Sequence, residues 1–146
     1  DIIVCLDADL TYPLAQLAEF ISLMDTQGLD FLTTNRLAIP EPGAMRVFNK
    51  VGNLALSGLI RVLFGVPLKD SQSGMWIIRK NLLRKLTLES PGMALSQELK
   101  IKAIHTTKAW REVPISYRKR VGKVKLRAIQ DGFGNLFRLV RLRFSL

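Results

Sequence analysis

The segment that most constrains the fold is residues 1–34. "DIIVCL" is a continuous apolar run of the kind found in strands buried on both faces. "DADLTYP" breaks it with polar and turn-forming residues. Pro13 suits a first helical position. Leu14, Leu17, Phe20, Ile21 and Met24 then recur at helical spacing until Gly28 can end the helix. "LDFLTT" reads as the next strand. Strand, loop, helix and strand in that order predict a βαβ unit, and so an α/β fold with a mostly parallel sheet between helices. With 146 residues, 48% of them hydrophobic, the chain can bury a core and is too apolar for disorder.

The rest of the chain extends this pattern. "NRLAIPEPGAMR" is a loop punctuated by Pro40, Pro42 and Gly43. The spacing predicts a helix from about Val47 to Phe64, with Val51, Leu54, Ala55, Leu59 and Val62 on one side. "GVPLKDSQSG" is a polar loop, "MWIIRK" a strand and "KNLLRKL" a short helix. "LSQELKIKAIHT" is a helix striped by Leu95, Leu99, Lys102 and Ala103. "WREVPISY" is a strand that Pro114 pushes towards a sheet edge. A last helix, from about Ala128 to Phe144, carries Phe133, Leu136, Phe137 and Val140. The chain opens on a strand already under way and has no initiator Met, so a preceding N-terminal part is expected. No apolar run reaches transmembrane length.

Charge is unevenly placed. The net charge is +10, and +8 of it falls on residues 111–146. Such a basic segment calls for an anionic partner: phosphate, membrane surface or nucleic acid. Cys5 is the sole cysteine, which excludes a disulfide or a Cys-rich zinc site within the chain and reads as a buried, inert thiol. His105 is the only histidine and has no nucleophile pattern beside it, so a catalytic triad is not expected.

Four places carry candidate chemistry. Asp7 and Asp9 end the first strand, where α/β proteins bind ligands. Two close carboxylates repel unless a cation or proton lies between them, and oxygen ligands suit Mg2+ or Mn2+ shared with phosphate. The alternative is turn and helix-cap chemistry. In "KDSQSGMW", Asp70 is placed to orient a hydroxyl-bearing ligand or an arginine, or else forms an ordinary turn with Ser71. Glu98 is a carboxylate near an apolar stripe, or else a solvated partner of Lys102. In "YRKRVGKVKLRAIQDGFGNLF", Gly122 allows a tight turn between cations. The greasy stripe that follows, flanked by Arg138, Arg141 and Arg143, reads equally as an interfacial helix or a core-packed one.

Taken in order, "LDADLTYP", "TTNR", "KDSQSGMW", "SQELKIKA", "EVPISYRKRVGKVKL" and "DGFGNLFRLV" resemble the family 2 glycosyltransferases, and within them the polyprenyl-phosphate (dolichol-phosphate) sugar synthases. The resemblance implies a GT-A fold, with residues 1–127 as a partial catalytic domain lacking its nucleotide-binding half and residues 128–146 as a basic amphipathic helix. It implies Asp7 and Asp9 as the DxD aspartates, with Asp9 the firmer metal ligand and Asp7 beside it. Thr11 stands where relatives often place a Gln ligand. Arg36 and Lys50 fall where such enzymes hold a donor diphosphate or acceptor phosphate, as do Arg120, Lys123 and Lys125 in the basic loop. Asp70 falls near sugar or acceptor, and Gln97 and Glu98 on the acceptor-side helix. Phe133, Phe137, Arg138 and Arg141 are the expected membrane-surface residues.

The expected chemistry is metal-dependent inverting transfer of a sugar from a GDP- or UDP-sugar to polyprenyl phosphate, at the cytoplasmic face of a membrane. A phosphate acceptor is already anionic and needs no strong base. Transfer to a saccharide hydroxyl is the alternative, with Asp70 as base. A nucleic-acid-binding module would account for the charge but leaves Asp7 and Asp9 without a role, and aromatics are not interleaved with the cations.

Overall fold

The structure is a computed structural model and describes residues 1–120 and 128–145. Strand β1 (Ile2–Cys5) leads through a short 3-10 turn (Leu14–Gln16) into α1 (Leu17–Thr26), then β2 (Phe31–Pro40) and α2 (Val47–Phe64). After these come β3 (Trp76–Arg79), α3 (Lys80–Leu83), α4 (Met93–Thr106), β4 (Trp110–Tyr117) and α5 (Ala128–Ser145).

The described strands form one sheet in the order β1-β3-β2-β4. The expected βαβ unit is present, but β3 lies between β1 and β2 and runs antiparallel to both. Only β2–β4 is a parallel pair, so this part of the sheet is mixed rather than mostly parallel. Placing β3 between them also sets β1 at the edge of these four strands. Its residues are half-buried rather than buried on both faces, and Cys5 is half-buried too. Pro114 lies on β4, the other edge, as its missing N–H requires.

Alternation along the strands divides the core. Phe31, Trp76 and Ile78 face one side, where they meet Ile60, Phe64, Leu99, Ala103 and Leu139 from α2, α4 and α5. Leu32, Ile77, Val113 and Ile115 face the other, with Phe20 and Met24 of α1. Each such fully buried side chain contributes ~1.5–3 kcal/mol relative to exposure.

In two helices the apolar stripe read from the sequence is not the buried face. In α2 the buried residues are Asn53, Ser57, Ile60 and Phe64, while Val51, Leu54 and Val62 are exposed. Polar Asn53 and Ser57 have partners inside the fold, as described below, and share the inward face with Ile60 and Phe64 of the core. In α5, Asn135, Leu139 and Leu142 are buried, and Leu136, Phe137 and Val140 lie outside. Gly65 ends α2 at φ 67°, a left-handed position that lets its N–H reach Arg61 O.

Candidate active site

The aspartate loop follows β1. Asp9 Oδ1 accepts hydrogen bonds from Thr11 N (3.2 Å) and Thr11 Oγ1 (2.5 Å). Leu10, between them, sits at φ 61°, the only non-glycine residue with positive φ among those described. This is backbone strain of about 1–2 kcal/mol held at the loop. Asp9 Oδ2 is buried and lacks a hydrogen-bond donor of good geometry, but Arg120 Nη2 lies 2.9 Å away as an ion pair. The charge that neutralises the aspartate pair therefore arrives from beyond β4, more than a hundred residues along the chain. Asp7 is exposed, and its carboxylate lies over Gly74: a Cβ built there would be 2.6 Å from Asp7 Oδ2.

The Asp7–Asp9 pair offers hard oxygen donors, and the buried Oδ2 has no protein hydrogen bond to lose. These residues fit a Mg2+- or Mn2+-type ion. No group of three or more His, Cys, Asp or Glu able to hold a metal occurs among the described residues. The ion's remaining positions would have to come from ligand oxygens or water. Thr11 supports the Asp9 carboxylate through its hydroxyl and is itself fully buried.

Asp70 is the hub of the second loop. It is completely buried and accepts Arg36 Nε (2.8 Å), Arg36 Nη2 (2.9 Å), Arg36 N (2.9 Å), Asn53 Nδ2 (2.6 Å) and Gln72 N (3.2 Å). A register shift between Asn35 and Ile39 turns the Arg36 N–H out of the β2–β4 ladder and towards Asp70. Burial alone would raise the Asp70 pKa. The Arg36 guanidinium, with Lys100 and Asn53, outweighs it and holds the carboxyl at about 2. Arg36 also stacks over the Tyr117 ring at 5.4 Å, and Tyr117 meets Tyr12 edge-on at 5.5 Å. The Tyr12 hydroxyl accepts Gly74 N at 2.6 Å, and burial pushes its pKa up to about 12. Ser57 Oγ accepts Ser71 N (2.9 Å) and Glu112 accepts Lys69 N and Asp70 N, so the loop is anchored from α2 and β4 as well.

Helix α4 closes the site from one side. Ser96 Oγ and Lys100 Nζ both donate to Ser73 O. Glu98 is buried and accepts Glu89 N (3.1 Å), Ser90 N (2.7 Å) and Lys102 Nζ (2.7 Å). Burial pushes its pKa up, but the bonds from Lys102 and Ser90 outweigh that and bring it to about 2. Glu98 therefore anchors the segment ahead of its own helix. Gln97 is different: its side chain is buried with neither Oε1 nor Nε2 bonded.

Lys50 is exposed on α2, one turn before Asn53. Phe137, Arg138 and Arg141 are exposed on α5. Lys123 and Lys125 lie outside the described residues, as does the Phe133 side chain. His105 Nε2 meets Phe64 O at 2.9 Å, a structural contact at the end of α2. Sequence reasoning missed Asn53, Lys100 and Tyr12. No local signal marks them, because each acts through a partner distant in the chain.

No family model matches the chain. Among curated proteins it is similar to the dolichyl-phosphate hexose transferase of Haloferax volcanii, at 33% identity over 132 residues, covering 90% of this chain and 56% of that protein. It is also similar to the low-salt glycan biosynthesis hexosyltransferase Agl6 of the same organism, at 29% identity, covering 87% of this chain and 31% of that protein. The chain thus spans about half the length of the first relative and less of the second. Among solved structures it resembles glucosyl-3-phosphoglycerate synthase from Mycobacterium tuberculosis. The form with Mn2+ and UDP-glucose gives a TM-score of 0.70 at 17% identity, covering 100% of this chain and 50% of that one. The form with Mn2+, UDP and glucosyl-3-phosphoglycerate gives 0.66 at 19% identity, covering 99% and 48%. The fold is that of the GT-A glycosyltransferases. Its curated sequence relatives are a dolichyl-phosphate hexose transferase, a hexosyltransferase and a further glycosyltransferase, each of which this chain covers only in part.

Proposed function

We propose that this chain is the acceptor-side part of a metal-dependent inverting hexosyltransferase that uses a nucleotide-diphosphate sugar and delivers the sugar to a polyprenyl phosphate. The observation that carries the choice of acceptor is the state of the buried carboxylates. Asp70 is bound on all sides and ionises at about 2, and so does Glu98. Neither is a base near neutral pH, and His105 faces a backbone carbonyl. A saccharide hydroxyl would require a base that these groups do not supply, whereas a phosphate attacks as an anion. The Haloferax dolichyl-phosphate hexose transferase supports the same reading.

Asp9 and Asp7 would hold the divalent ion, which when bound offsets charge growing on the departing diphosphate. The neighbours crystallised with Mn2+ and UDP support a divalent metal and a UDP-type donor. Arg120, which pairs with Asp9 here, would be placed to hold phosphate oxygens beside the ion. Gln97 has two unbonded polar atoms to offer on the acceptor side.

A membrane-surface location accompanies this reading. Contrary to the expectation from uninterrupted apolar runs, helix α2, which includes Lys50 and Arg61, is long and apolar enough to cross a membrane by length and composition alone, yet one side is tied into the protein through Asn53 and Ser57. Its other side and the adjoining α5 expose Val51, Val62 (82%), Phe137 and Phe144 (88%) beside Arg46, Lys50, Arg61, Arg138 and Arg141. Apolar groups interleaved with cations suit an anionic lipid surface.

The experiment is transfer by the full-length protein with Mn2+, comparing UDP- and GDP-hexoses against polyprenyl phosphate and against a saccharide acceptor. Labelled lipid-linked sugar is expected. Transfer to the saccharide alone would overturn the acceptor assignment. Sedimentation with phosphatidylglycerol vesicles tests the surface: binding should weaken as salt rises, and its absence at low salt would exclude the location.

A further inference from the structure

Lys100 is the one cation among the described residues that is completely buried. Its Nζ donates to Ser73 O (2.6 Å) and Ser71 O (3.1 Å) and reaches Asp70 O at 3.5 Å. No carboxylate lies within ion-pair distance of it among those residues. A buried ammonium is costly unless it is fully hydrogen-bonded. Here the cost has a counterpart, because the 70–73 turn directs three carbonyls towards α4. A long stem ending in three N–H donors meets all three at once, which no neutral side chain of similar length does.

What this turn carries makes the contact matter. Its first residue, Asp70, holds Arg36 and Asn53. The residue just after it, Gly74, donates to Tyr12 and lies beneath the Asp7 carboxylate. A shift of the turn by a fraction of an ångström moves both the Arg36 guanidinium and the floor under Asp7.

We propose that Lys100 is the positioning residue of this site: its ammonium gathers the carbonyls of Asp70, Ser71 and Ser73 onto α4, and so sets the turn where Asp70 holds Arg36 and Gly74 admits the Asp7 carboxylate. The inference deepens the transferase reading but is tested without it. The clamp is also sensitive to protonation. Burial pushes the Lys100 pKa down to about 7, with Arg36 acting in the same direction and Asp70, Glu112 and Asp7 opposing. The ammonium has three donors for three carbonyls and the neutral amine only two. Raising the pH therefore loosens the turn.

The test is amide hydrogen exchange on the full-length protein, expressed as protection factors corrected for intrinsic exchange. In Lys100→Met, protection over residues 71–74 should fall about tenfold or more relative to the β2–β4 ladder. In the wild type the same amides should lose protection between pH 6 and 8.5, and the variant should show no such pH dependence. A loss spread evenly over the sheet, or no loss, would overturn the proposal. So would a flat wild-type profile, which decides the matter alone if Lys100→Met does not fold. Neither result depends on transfer activity, so failure here is separable from failure of the transferase reading.

Discussion

Asp70→Asn should destabilise the protein by about 3 kcal/mol, on two estimates of the same Arg36–Asp70 interaction. The carboxyl is held at about 2 against 3.8 in the unfolded chain. At ~1.4 kcal/mol per pKa unit this is ~2–3 kcal/mol of stability at neutral pH. The second starts from Arg36, whose side chain is 12% exposed and whose only ion partner among the described residues is Asp70. Breaking a buried pair by removing one charge typically costs ~3–5 kcal/mol. Asparagine keeps the shape but turns one acceptor into an NH2 that faces Arg36 donors in either orientation, and Asn53 as well in one of them. The wild type should show the same energy as a function of pH. Above about pH 5 the carboxyl is ionised in both states and its stabilisation is complete. As pH falls towards 2 the unfolded chain takes up the proton first, and the stabilisation is lost. Urea unfolding at pH 7 and at steps down to pH 2.5 measures both. The variant should lose about 3 kcal/mol at pH 7 with an unchanged m-value and show a shallower acid limb. A loss below about 1 kcal/mol, or an acid limb as steep as the wild type's, would refute the reasoning.

Three further outcomes follow from the same contacts. Gly74→Ala puts a Cβ where the Asp7 carboxylate lies; Asp7 can swing away, so stability should change by less than about 1 kcal/mol while Mn2+ affinity, by titration calorimetry, falls about tenfold or more. Arg120→Ala removes the cation beside Asp9; Mn2+ should bind more tightly to the nucleotide-free protein, and unchanged or weaker binding would show that the pair does not compete with the metal. Glu98→Gln leaves Lys102 and the Glu89 and Ser90 N–H groups short of their carboxylate, so unfolding in urea should come ~1–3 kcal/mol earlier, whereas a neutral result would free Glu98 for a role at the acceptor.

The elements were legible because their signals are local. Pro13, Gly28 and the 3.6-residue spacing between them place α1, and alternation in "WREVPISY" places β4. The rotations of α2 and α5 were not legible. Apolar spacing in α2 points to Val51, Leu54 and Val62, but the face that packs inward carries Ile60 and Phe64 together with Asn53 and Ser57, whose polar partners Asp70 and Ser71 come from the next loop. The antiparallel insertion of β3 likewise depends on which strands meet, and periodicity does not encode that.

The candidate site divides along the same line. Residue types and local spacing point to Asp7, Asp9 and Asp70, but what each carboxylate does is set from far along the chain. Arg120 reaches Asp9, Arg36 reaches Asp70, and Lys100 reaches the turn behind it. Those partners change the chemistry that the carboxylates permit. From the sequence, Asp70 is a candidate base for a hydroxyl acceptor. Bound by Arg36 and Asn53 and ionising at about 2, it is a poor base and a strong anchor for a guanidinium. Asp9 differs in having only one oxygen bonded by Thr11, with the other facing a cation that is 28% exposed at its side chain and able to move. A site with one fixed carboxylate–guanidinium pair and one exchangeable pair is suited to exchanging cations and phosphates rather than to abstracting protons. That distinction is what supports the anionic acceptor proposed above over a neutral one.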